Sequence, residues 1–213
     1  MSKPWDIPPF PKRGNASQAT LFASVGRALM AWEEIETTFA HQYSLLVSGE
    51  QFDEAANQKY GKPNTFVERI AALEKAACKL WHKYPNQELE GRFMEILKLA
   101  KNYSARRNDI AHAVARFIHW IREPNSTDTL LSPNVDLRWC LVPPHFRGAK
   151  FTRRNVPDYV LTSREINVFA EAFWEIARAA AAFSRKIEAQ ARTLNGKSHP
   201  RMIPPPLVSR FPH

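Results

Sequence analysis

Residues 162–187 read TSREINVFAEAFWEIARAAAAFSRKI, and their pattern decides the fold class. Ile166, Phe169, Phe173, Ile176, Ala180, Phe183 and Ile187 recur at steps of three or four residues, which brings them onto one face of an α-helix. Thr162 and Glu165 stand ahead of this stripe with the spacing of a capping box, in which each side chain satisfies a backbone donor at the helix start. Asn195 and Gly196 supply a stop. A helix with a single apolar stripe needs other elements to bury it, so matching stripes are expected elsewhere in the chain.

Three more are present. From Ala16 to Val47 there is no proline, and Phe22, Val25, Leu29, Trp32, Glu36, Phe39, Tyr43 and Leu46 keep the same spacing, with Gly49 as the stop. A second run starts after Pro63 with Asn64 as its expected cap, carries Phe66, Ile70, Leu73, Ala77, Leu80 and Tyr84, and is closed by Pro85. A third extends from about Gln87 to about Val114 through Phe93, Ile96, Ala100, Tyr103, Arg107, Ile110 and Val114. Four amphipathic helices that bury their stripes against one another predict a mainly α protein, a four-helix bundle.

Between 116 and 161 the period changes. Arg116–Ile121 and Asp136–Val142 are rich in aromatic and branched residues and are separated by the turn-forming EPNSTD, and Tyr159–Leu161 is a third strand candidate. A small β-hairpin or meander is therefore expected before the last helix. Residues 1–15 contain Pro4, Pro8, Pro9 and Pro11 and predict an extended arm; 16–195 form the bundle with its inserted strands; 196–213 are expected to be a disordered, proline-rich tail.

The 213 residues suffice for one domain with a real core, and 44% hydrophobic against 24% charged residues is a globular composition. The formal charge of +9 favours polyanionic partners, although charge alone also serves solubility. Cys78 and Cys140, far apart and flanked by apolar residues, read as small buried hydrophobes in a reducing compartment. The opening MSKPWDIPPFPKRG has no apolar run like that of a signal peptide, and no stretch of 18 apolar residues occurs; the expected location is cytoplasmic, without membrane contact. No histidine or cysteine pairs have metal-ligand spacing, and there is neither a glycine-rich phosphate loop nor a GxSxG motif, so no metal and no cofactor are expected.

Two charges interrupt the stripes: Glu36 in the first and Arg107 in the third. Burying either alone is costly, so opposite signs on facing seams suggest a pair. Such a pair would either fix the register of the two helices or orient Arg107 at the rim of a site.

Around Arg107 the chain reads Arg106-Arg107-Asn108-Asp109-Ile110-Ala111-His112. Asn108 and His112, four apart, share a helical face, and Arg107 lies about 100° round the helix from Asn108. The run RNDIAH resembles the R-x4-6-H motif of the HEPN superfamily, small helical bundles of which many are metal-independent ribonucleases in toxin–antitoxin, phage-defence and RNA-processing systems. Only this motif is diagnostic, while the resemblance extends over the bundle from about 16 to 190. It implies His112 as acid or base for attack of a ribose 2′-hydroxyl on the adjacent phosphate, a task suited to imidazole. It implies Arg107 as the group that holds phosphate and stabilises transition-state charge. Asn108 would assist, Glu36 would stand behind Arg107, and a homodimer would combine two such helices in one cleft. An antitoxin or other protein partner is a further implication. Ala113 stands where many members have glycine. The alternatives are a HEPN-like module that binds nucleic acid or protein without cleavage, and a motif that is only structural, with His112 hydrogen-bonded inside the bundle.

Arg106 is a further candidate for nucleic-acid contact. Arg147, Lys150, Arg153 and Arg154, interleaved with Phe146 and Phe151, suggest a basic and aromatic segment able to follow a phosphate backbone while rings stack on bases, or else a solvated loop. Arg178, Arg185 and Arg192 recur every seven residues off the last apolar stripe and read as a solvated face. Trp5, in the arm, is free to dock on the bundle or on a partner.

Overall fold

The computed structural model describes residues 3–48, 52–120, 136–144 and 157–195. Among them the order is α1 (Gln18–Ser48), α2 (Glu54–Tyr60), α3 (Phe66–Lys83), α4 (Gln87–His112), β1 (Val114–Trp120), β2 (Asp136–Val142) and α5 (Ser163–Asn195). The protein is thus mainly helical, with four long helices and a two-stranded antiparallel hairpin before the last of them.

The α5 stripe lies wholly inside: Ile166, Phe169, Phe173, Ile176, Ala180, Phe183 and Ile187 are each at most 2% exposed. Its start is capped as expected, with Glu165 accepting from the Thr162 backbone N–H at 2.9 Å and the Thr162 hydroxyl accepting from Arg164 N–H at 3.3 Å. Phe93 stacks on Phe183, and Tyr103 meets Phe169 and Phe173 edge-on, so α4 runs antiparallel to α5. Arg27 bonds to Asn167 and Gln42 to the Ala180 carbonyl, so α1 runs parallel to α5.

On α1 the buried side is rotated from the stripe of large residues. Phe22 is half exposed, whereas Leu21, Ala28, Ala31 and Ile35 are fully buried. The alanines here and at Ala170, Ala177 and Ala180 of α5 let the two backbones approach closely, which a reading weighted towards large side chains undervalues.

Three details depart from expectation. The cap of α3 is Thr65 and not Asn64: the Thr65 hydroxyl accepts from Glu68 N–H at 3.2 Å, and the Glu68 carboxylate accepts from Thr65 N–H at 3.0 Å. The Thr65 backbone N–H first, and the nearby Thr65 hydroxyl after it, hold the Glu68 carboxyl below its ordinary range. Thr65→Ala should cost about 1 kcal/mol, read as a lowered thermal midpoint with unchanged helix content below it. Second, α2 was not anticipated; Asp53 caps it by accepting from Ala55 and Ala56 N–H, and Tyr60 at its end is buried. Third, α4 stops at His112, two residues early, because Ala113 turns extended (φ −73°, ψ 158°) and Val114 opens β1.

The hairpin pairs Val114 with Val142 through Trp120 with Asp136 without a bulge. Tyr159–Leu161 does not form a strand of its own; only Leu161 bridges to Leu141, at 2.8 and 3.0 Å. On the same edge of β2, Asn15 exchanges two 2.8 Å backbone bonds with Trp139, and the Asn15 side chain accepts from Ser163 N–H at 2.9 Å at the start of α5. The described part of the arm is non-helical, and Trp5 docks edge-on against Tyr103 at 5.9 Å. The tail 196–213 lies outside the described residues.

Trp32 and Trp81 are core residues, and Trp139 and Trp174 pack against the core half-buried. The two thiols separate. Cys140 is buried, and burial pushes its pKa up to about 12, while Cys78 is exposed on α3, contrary to expectation. A maleimide at neutral pH should therefore label Cys78 in the native protein and Cys140 only after unfolding, countable by mass spectrometry.

Candidate functional site

The last two turns of α4 carry the RNDIAH run, and the helical repeat sorts its side chains. Arg106, Asp109 and Ile110 point inward, at 8%, 5% and 2% exposure, whereas Asn108 and His112 are exposed together on the outer face, as their four-residue spacing dictates. Arg107 lies between these faces, half-buried, and its Nη1 donates to Asn108 Oδ1 at 3.3 Å. His112 is therefore not a histidine sealed in the core of this chain.

The expected Glu36–Arg107 pair does not form. Glu36 accepts from Arg69 Nη2 at 2.7 Å and Nε at 3.1 Å, from the Tyr60 hydroxyl at 3.0 Å, and from Trp32 Nε1 at 3.4 Å. It fastens α1 to α2 and α3. Arg107 instead faces Glu33 at 3.8 Å. Three positions on a helix amount to about 60° of rotation, enough to aim Glu36 at α3 and Glu33 at α4. With its carboxylate two-thirds exposed and at the long end of ion-pair distance, Glu33 holds Arg107 weakly. The Arg107 Nε is buried without a hydrogen-bond acceptor. An anion arriving over this face would have only the long Glu33 pair to displace at Arg107 Nη2.

Arg106 is corrected as a surface contact. It is buried and paired with Asp109 at 3.0 Å, one turn along α4, so it belongs to the helix packing. Arg147, Lys150, Arg153 and Arg154, with Phe146 and Phe151, lie outside the described residues. On α5, Arg178 is exposed and pairs with Glu175 at 2.7 Å, and Arg185 is exposed. Since Tyr103 is level with Phe169 and Phe173 while Phe93 is level with Phe183, these arginines stand towards the far end of the bundle from His112.

Sequence reasoning missed Glu33 and Tyr60. Neither interrupts an apolar stripe, so periodicity holds no signal for them. Among the described residues no group of three or more His, Cys, Asp or Glu is arranged to hold a metal ion, and no helix is long and apolar enough to cross a membrane. No protein-family model matches the chain, and neither a curated protein nor a solved structure matches it.

Proposed function

We propose that this protein is a HEPN-like, metal-independent endoribonuclease. The observation that carries the reading is the disposition of RNDIAH at the end of a long bundle helix: Asn108 and His112 outward on one face, with Arg107 beside them and only loosely held. His112 takes the proton of a ribose 2′-hydroxyl, the 2′-oxygen bonds to phosphorus, and the P–O5′ bond breaks. The departing 5′-oxygen is protonated by an acid, and the products are a 2′,3′-cyclic phosphate and a 5′-hydroxyl. Arg107 neutralises charge on the phosphoryl oxygens as the fifth bond forms.

A single chain supplies one His112 and, among the described residues, no side chain that fixes its tautomer. A homodimer that sets two such helices across one cleft completes the acid–base pair, with His112 of the partner subunit as the acid. The net charge of +9 supports a polyanionic substrate.

The test is incubation of single-stranded RNA with the protein in EDTA, followed by end-group analysis. Cleavage that leaves cyclic phosphate ends and is lost in both His112→Ala and Arg107→Ala is the expected result. RNA binding by a folded dimer without any cleavage would replace this reading with the non-catalytic binding module.

A further inference from the structure

The backbone of β1 is arranged to accept another strand. In β2, the N–H and C=O of Trp139 are both engaged by Asn15, and those of Leu141 by Leu161. These groups therefore point away from β1, and the ladder between the strands is made by their neighbours Arg138, Cys140 and Val142 with Ile118, Arg116 and Val114. By the same alternation, Ala115, Phe117 and His119 direct their N–H and C=O groups to the opposite edge. No described strand or bridge pairs with that edge.

Exposed strand edges are commonly protected by proline, lysine or a bulge. Val114–Trp120, VARFIHW, has none of these and runs in unbroken register. Val114 and Phe117 are 38% and 49% exposed, so side-chain contacts are available beside the backbone groups.

We infer that this edge of β1, unpaired among the described residues, docks an extended acidic peptide segment of a partner protein, which adds a third strand to the hairpin. Charge decides the occupant. β1 has no carboxylate and Arg116 on it is exposed, so a second β1 on this edge would meet no opposite charge, while an acidic segment is attracted. Only Ala113 separates His112 from β1, so one end of the added strand arrives at the C-terminal end of α4. The inference does not depend on RNA cleavage.

The probe is the blocked peptide Glu-Val-Glu-Val-Thr-Val-Glu, titrated into the full chain and followed by amide hydrogen exchange at Ala115 and Phe117 and by fluorescence anisotropy. Saturable binding with slowed exchange at both amides is expected, weakened at least about tenfold by N-methylation of alternate peptide residues, which removes donors from one edge only. Phe117→Pro should weaken binding by a similar factor, because the lost N–H is the outward one and the β2 ladder is untouched, while Phe117→Ala keeps most of the affinity. His112→Ala retains the edge, so peptide binding by that variant separates this inference from the ribonuclease reading. Absence of binding at millimolar peptide overturns it. Binding indifferent to N-methylation, protection of the two amides by protein concentration alone, or their protection by RNA and not by the peptide would do the same.

Discussion

His112→Ala is expected to lower RNA cleavage by about two to four orders of magnitude, the usual contribution of a positioned general acid or base. Because His112 is exposed, the variant's stability should stay within the range of a surface substitution, about 0.5 kcal/mol of the parent. Arg107→Ala should lower the rate by about two to three orders of magnitude. Arg107→Lys should not restore it, since an ammonium lacks the planar fork that meets two phosphate oxygens. Arg106→Ala serves as the contrast. It leaves Asp109 buried beside an empty place, so its activity should fall together with its thermal midpoint and not ahead of it. Rates and midpoints measured together for the four variants check this ordering. An Arg106→Ala protein that is fully stable and inactive, beside an active His112→Ala, would sink the assignment.

Glu36→Ala should destabilise the fold by about 2–4 kcal/mol, because it strips Arg69, Tyr60 and Trp32 of a shared acceptor while Arg69 stays charged and half-buried. For a chain of this length that is a midpoint lowered by roughly 10 °C. Glu33→Ala, three residues away, removes a long, exposed ion pair and should cost less than about 1 kcal/mol. A pH dependence accompanies the first effect. Burial, then the Glu36 carboxylate, raises the Tyr60 phenol well above its ordinary value. The unfolded chain ionises this tyrosine near pH 10 and the folded chain does not, so its contribution is complete below about pH 10 and is lost as pH rises further. Tyr60→Phe, weaker than the parent at pH 8, should therefore close part of that gap between about pH 10 and 11, measured as midpoint against pH. Parallel curves for the two proteins would disprove the coupling.

The α5 stripe was legible in full because its large residues coincide with the buried face. On α1 the same rule chose Phe22 and passed over Ala28 and Ala31, since close backbone approach depends on what is missing from a side chain. The interrupting charges Glu36 and Arg107 do find partners, but a partner is chosen by helix rotation and neighbouring elements. Glu36 went to Arg69, on a helix whose own stripe does not include it. The outward placement of Asn108 and His112 was readable from a spacing of four. The inward turn of Arg106 was not, because Tyr103 and Ile110 are seven apart and Arg106 and Arg107 each divide that span into steps of three and four. Which backbone groups of β1 point away from β2 was out of reach of any pattern, since it follows from the groups that Asn15 and Leu161 already occupy on β2.

The pairing of α1 with α5 also sets an order of events. Arg27 finds Asn167 across 140 residues, whereas Trp81 and Phe93 meet within the local α3–α4 hairpin. Closing so long a loop adds little to the free energy, which grows only with the logarithm of length, but contacts this distant are made late. On a ribosome adding about 5–20 residues per second, Leu21, Ala28 and Ile35 wait on the order of ten seconds for the helix that covers them. During that interval the nascent chain presents these apolar residues to whatever is nearby, and α5 is the helix that ends its vulnerability.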